Sequence, residues 1–131
     1  MISPDGAVLS PEAGFTGGGL TVPWGMAIDG DDNVWASNFA RKRVSHFCGV
    51  RTRNCGPGKR TGHPISPGGG YGFGGFTRTT AVEIDPSGNV WITNNWKQIP
   101  VQSNPGGYEV VVMPGAAAPV KTPLIGTPTS P

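Results

Sequence analysis

Residues 25–38 read Gly25-Met26-Ala27-Ile28-Asp29-Gly30-Asp31-Asp32-Asn33-Val34-Trp35-Ala36-Ser37-Asn38. Residues 81–94 read Ala81-Val82-Glu83-Ile84-Asp85-Pro86-Ser87-Gly88-Asn89-Val90-Trp91-Ile92-Thr93-Asn94. Sliding the chain by 56 residues lays one stretch on the other without a gap, and Ile, Asp, Asn, Val, Trp and the final Asn coincide. The same offset carries Leu9-Ser10-Pro11 onto Ile65-Ser66-Pro67 and Gly18-Gly19-Leu20-Thr21 onto Gly74-Gly75-Phe76-Thr77. A fixed internal period marks a repeat architecture, in which each unit buries its apolar faces against its neighbours.

Each unit predicts an antiparallel hairpin. Met26-Ala27-Ile28 and Val34-Trp35-Ala36-Ser37 are short strands. Between them, Asp29 to Asn33 is a turn, because Asp and Asn bond their own backbone and Gly permits positive φ. Asp85 to Asn89 does the same in the second unit, with Pro presetting φ and Gly supplying the left-handed position. A third strand follows in the first unit, Arg43 to Phe47, with Val44 and His46 on one face and Ser45 and Phe47 on the other. Tyr108 to Met113 is its counterpart after a longer loop. The pattern predicts that Trp35 and Trp91 occupy equivalent, largely buried positions.

Composition agrees with an all-β chain. Gly (22) and Pro (14) exceed a quarter of the 131 residues, but 36% are hydrophobic, clustered in runs such as Val110-Val111-Val112-Met113, and 4 are Trp. Disordered chains are depleted in large aromatics, and Gly and Pro here punctuate short apolar runs. The net charge of +2, with 14% charged residues, lacks the basic excess of a nucleic-acid binder. The basic stretch from Arg41 to Arg60 reads as a solvated loop. No apolar run is long enough to cross a membrane.

Repeated hairpins of three or four short strands are characteristic of propeller blades. The pattern Pro-x-Gly-x-Ala-Ile-Asp-x-x-x-Asn-Val-Trp-x-x-Asn, met at Pro23 to Asn38 and without its Pro and Gly at Thr80 to Asn94, resembles the NHL, SMP-30/gluconolactonase and streptogramin-lyase group of β-propellers. The segment Leu9 to Leu20 is similar to the inter-blade stretch of bacterial secreted NHL-repeat proteins. The resemblance covers about residues 3 to 113. It implies an all-β partial propeller: a scrap of a preceding blade at 1–9, a blade at 20–47, an insertion at 48–75, a blade at 76–113 and a Pro-, Ala- and Thr-rich tail at 114–131. Propellers of this group close from about six or more blades, so two blades read as a C-terminal portion, or as a chain that completes its ring by association. The implied function is a secreted binding or scaffold element for a protein, peptide or carbohydrate ligand. The alternative is a remnant of a propeller hydrolase or lyase whose catalytic blades are absent. Met1 to Gly6 has no basic region followed by an apolar core, so the expected export signal lies outside this chain.

Cys48 and Cys55 are the only cysteines. A zinc site needs about four ligands, and only His46 and His63 could assist, so the expectation is a disulfide closing a small loop in an oxidising compartment. The prolines of the tail exclude a regular helix or central strand, which leaves an extended segment lying on the sheets and then a frayed end.

The residues give little support for catalysis, and no catalytic residue, metal ligand or cofactor is expected. SMP-30-type lactonases hold a divalent cation through acidic or Asn side chains, one of them just before the Gly of the Pro-x-Gly motif. Trp24 and Thr80 stand there instead, and neither suits a cation that needs carboxylates. Trp24 reads chiefly as core filling, with ligand stacking at the channel as its functional reading. Glu83 replaces Ala27 on an inner strand and is a channel-lining candidate, with Arg78 and Lys97 as partners. Trp24, Glu83 and Arg78 are thus the candidate binding residues. Asp29, Asp31, Asp32 and Asn33 lack the distant bidentate Glu of an EF-hand and read as a structural turn. His46 reads as a satisfied edge histidine, and Gly68 to Gly75 as a flexible connection.

Overall fold

The computed structural model describes residues 1–3, 5–96 and 109–120. These residues form two antiparallel sheets and no α-helix. The first sheet runs β1 (Pro23–Ile28), β2 (Val34–Asn38), β3 (Arg43–Phe47), β4 (Tyr71–Gly72). The second runs β5 (Val82–Ile84), β6 (Val90–Asn94), β7 (Glu109–Met113). Tyr108, expected in the last strand, and Lys97 lie outside the described residues, as do tail residues 121–131.

The two sheets repeat one another in register. Met26 faces Ala36, Ala27 faces Trp35 and Ile28 faces Val34. Val82 faces Ile92, Glu83 faces Trp91 and Ile84 faces Val90. The turns repeat as well. Asp29 Oδ1 accepts the backbone N–H groups of Asp31 (3.0 Å) and Asn33 (2.9 Å). Asp85 Oδ1 accepts those of Ser87 (2.9 Å) and Asn89 (3.0 Å). Both turns need one left-handed residue, supplied by Asp32 (φ 69) in the first and Gly88 (φ 82) in the second. Asp and Gly are residue types that accept this conformation.

The final Asn of each unit closes its entrance. Asn38 Oδ1 accepts the Thr21 N–H at 2.8 Å, and Asn94 Oδ1 accepts the Thr77 N–H at 2.7 Å. Both side chains are fully buried, where an unmatched amide would cost about 1–3 kcal/mol. This explains why the repeat ends on Asn.

Side chains alternate across a strand, so each sheet has two distinct faces. Trp35 and Val44 on the first sheet pack against Val82, Val90 and Ile92 on the second, with Phe76 and Ala117 completing the core. The expectation that both repeat tryptophans are buried fails for one of them. Trp35 is 1% exposed, whereas Trp91 is 43% exposed. The second sheet covers the Trp35 face, and among the described residues no sheet covers the Trp91 face.

Segment 48–75 is more ordered than a connection. Tyr71 and Gly72 pair with Val44 and Arg43 as β4, and Tyr71 stacks on Trp35 with ring centroids 5.7 Å apart. The glycine-rich run from Gly68 therefore contributes a strand, because Tyr71, one of its two large aromatics, packs against the core. Cys48 and Cys55 form the expected disulfide, with Cα atoms 5.4 Å apart.

The start of the tail ties the two turns together. Ala117 N–H donates to Gly88 O and Gly30 N–H donates to Ala118 O, each at 3.0 Å. A Cβ at Gly88 would stand 2.3 Å from Ala117 O, so glycine serves there both for its φ and for this close approach. At the other end, Ile2 and Val8 form an isolated antiparallel bridge.

Candidate functional site

Two of the three candidate binding residues meet at one end of the sheets. Trp24 lies on β1 where the register shifts between Pro23 and Gly25. It is 58% exposed, which overturns its reading as core filling. Its ring lies 4.7 Å from Phe39, just beyond β2, and 6.4 Å from Trp96, just beyond β6. Phe39 and Trp96 meet edge to face at 5.1 Å. Arg78 pairs with Trp96 in an isolated bridge and sets its guanidinium carbon 4.7 Å from the Phe39 ring centre, in cation–π range. Its Nε is buried and has no hydrogen-bond partner among the described residues.

Local backbone explains how this cluster is held. Val22 adopts φ 48, which a β-branched residue enters only under constraint. Its carbonyl accepts the Phe39 N–H at 3.0 Å, and this fixes the chain entering Trp24 beside Phe39. Gly25 admits the neighbouring sheet: a Cβ there would stand 2.5 Å from Thr80 O. The 56-residue offset places Ala81 at the corresponding position of the second unit.

Glu83 is not part of the cluster. It is exposed, on the face opposite the core, across from Trp91. Among the described residues it forms no ion pair with Arg78. Arg78, which precedes β5, and Glu83, which lies on it, therefore go to different places.

A second polar group is buried under the first sheet. Asp29 Oδ2 accepts the Trp35 indole N–H at 3.0 Å. His46 stacks on that indole at 4.0 Å, with Nε2 at 3.4 Å from Asp29 Oδ2. Among the described residues Nε2 has no hydrogen-bond partner. Burial raises the Asp29 pKa, but His46, the indole and the two backbone donors outweigh it and hold the carboxyl below its ordinary value. His46 is not the edge residue expected. Its strand lies between β2 and β4, and its carbonyl accepts the N–H of Ile65 at 2.7 Å. The group is buried and its carboxylate already accepts three hydrogen bonds, so its role is structural.

The acidic turn has a role that sequence reading missed. Asp32 Oδ2 accepts the N–H of Val50 (3.0 Å) and Arg51 (3.3 Å). Asp31 Oδ1 accepts from Asn54 Nδ2 at 3.0 Å, and Asn33 Oδ1 accepts the Gly49 N–H at 3.2 Å. The extra acids of the first unit hold the disulfide loop, and the second unit has Ser87 and Gly88 at their positions. Among the described residues, no three His, Cys, Asp or Glu side chains gather as a metal site.

Phe39 and Trp96 were also not singled out beforehand. Each follows the final Asn of its unit, at one and two residues' distance, and that placement beyond the strand end is the signal that could have found them. The cluster as a whole offers an exposed indole, two further aromatic rings and a guanidinium, which can stack and donate hydrogen bonds. Comparison with family models, curated proteins and solved structures finds no match.

Proposed function

We propose that the chain is a portion of a β-propeller of the NHL/SMP-30-like kind, that it works outside the cell as a binding or scaffold element, and that Trp24, Phe39, Trp96 and Arg78 form its ligand-contact surface. The repeated register and turn bonds support the blade-like reading. The disulfide is compatible with the extracellular one. The observation that carries the binding function is Trp24: a large aromatic left 58% exposed beside two further rings. Exposed Trp and Arg on a rigid base are the residue types that anchor ligands. The ligand classes that fit are a protein, peptide or carbohydrate offering an apolar or aromatic face for stacking and an acceptor for Arg78.

The test is binding of the purified chain to immobilised peptide and oligosaccharide arrays, followed by titration of any hit against Trp24→Ala and Arg78→Gln. The expected result is a loss of at least about tenfold in affinity for Trp24→Ala, as for a hot-spot aromatic, with an unchanged melting temperature. A hit bound equally well by both variants would place the binding surface elsewhere.

A further inference from the structure

The interface between the two sheets has two dissimilar halves, and the outer surfaces of the chain repeat both of them. Inside, the Trp35 face of the first sheet meets the Val82 face of the second. The register places Trp91, Val110 and Val112 on the second sheet where Trp35, Val44 and His46 stand on the first. The 56-residue offset places Met26 and Ile28 where Val82 and Ile84 stand. Burial separates the halves sharply. Val44 is 0% exposed and its counterpart Val110 is 60% exposed; Val82 is 2% exposed and its counterpart Met26 is 70% exposed. The Met26 face borders an open apolar groove of about 640 Å³.

We propose that this chain associates head to tail, the Trp91–Val110–Val112 face of one copy seating on the Met26–Ile28 face of the next. The inference rests on the repeat reading above. The occupant is a second copy because each free face matches one half of an interface the chain already makes with itself. A contact between unlike faces leaves one of each free, so it grows into a series or closes into a ring. Two departures lie on the inner strand: Ala81 replaces Gly25, whose missing Cβ admits the neighbouring sheet, and Glu83 replaces Ala27. The contact is therefore carried by β6 and β7, and the inner edge stands further apart than within the chain.

Sedimentation velocity on the full chain across a concentration series tests this, with the variants Met26→Glu and Val110→Glu. Both residues are exposed in the single chain, so neither substitution disturbs its core. The wild type is expected to form species larger than a monomer as concentration rises. Each variant alone is expected to lose all of them. An equimolar mixture of the two is expected to form a one-to-one dimer and nothing larger, because each variant keeps one sound face. A wild type that stays monomeric throughout would assign these faces to repeats on another chain and overturn the proposal. A single variant that still dimerises, or a mixture that stays monomeric while the wild type associates, would overturn it as well. Neither position belongs to the Trp24 cluster, so the binding reading is judged independently by the array experiment.

Discussion

Trp91 donates its indole N–H to Asp85 Oδ2 at 2.9 Å, across the turn that joins β5 to β6. The same bond, at 3.0 Å, joins Trp35 to Asp29 in the first unit. One tryptophan is buried and the other is half exposed, yet the bond is the same. It belongs to the repeat and not to the packing around it. Asp in this turn thus has three tasks at once: it binds two backbone donors and anchors the Trp of the following strand.

The two tryptophans differ in what they contribute to stability. Trp35→Ala should cost about 3–5 kcal/mol, because it leaves a cavity between the sheets. Trp91→Ala should cost about 1–2 kcal/mol, since less apolar surface is removed from water there. Denaturant titration of both variants at low protein concentration, where association is minimal, measures the difference. Equal costs would show that the Trp91 face is covered in the free chain.

The disulfide and the acidic turn stabilise one loop together. Titration of the denatured, unreduced protein should find no free thiol. Cys48→Ser with Cys55→Ser should lower stability by at most about 3 kcal/mol, the loop-closure value for a short ring. Asp32→Ala removes the acceptor for Val50 and Arg51. Its effect should appear as faster amide exchange at those two residues, with the sheets unaffected. Protection unchanged at Val50 and Arg51 would show that the turn does not hold the loop.

Acid should weaken the turns in a defined range. The Trp91 indole, the Asn89 side chain and the turn backbone bring Asp85 down from 3.8 to about 2, and Asp29 is also lowered. A carboxyl whose pKa is depressed on folding contributes stability above its unfolded value and loses it as pH falls through the folded one. Melting temperature should therefore drop between about pH 4 and pH 2. The Asp29→Asn, Asp85→Asn double variant should melt lower at neutral pH and change less over that acid range. An identical acid profile in the variant would remove these two carboxylates as the cause.

Much of the fold was legible because the repeat is written in residues with narrow conformational roles. Asp29, Asn33 and Asn38 each satisfy backbone groups that no apolar residue could, so they recur with their strands and set the register. What was not legible depended on neighbours. The sequence around Trp91 matches that around Trp35, and no local feature states that one face is covered and the other is not. Trp24 read as core because large aromatics usually are, and only the register shift beside Pro23 turns it outward. β4 was hidden in a glycine run, since its single anchor, Tyr71, stacks on a residue far away in the chain. Asp31 and Asp32 read as a structural turn, and nothing beside them in the sequence names the loop they hold.

In this chain one structural unit is followed by a second copy of itself. The four Trp indole protons test it directly in a nitrogen–proton NMR spectrum. Two of them, from Trp35 and Trp91, should be shifted downfield by charge-assisted bonds to carboxylate. Asp29→Asn should move the Trp35 signal upfield and leave Trp91 in place; Asp85→Asn should do the reverse. A spectrum in which Asp85→Asn moves no indole signal, or moves that of Trp35, would contradict the account.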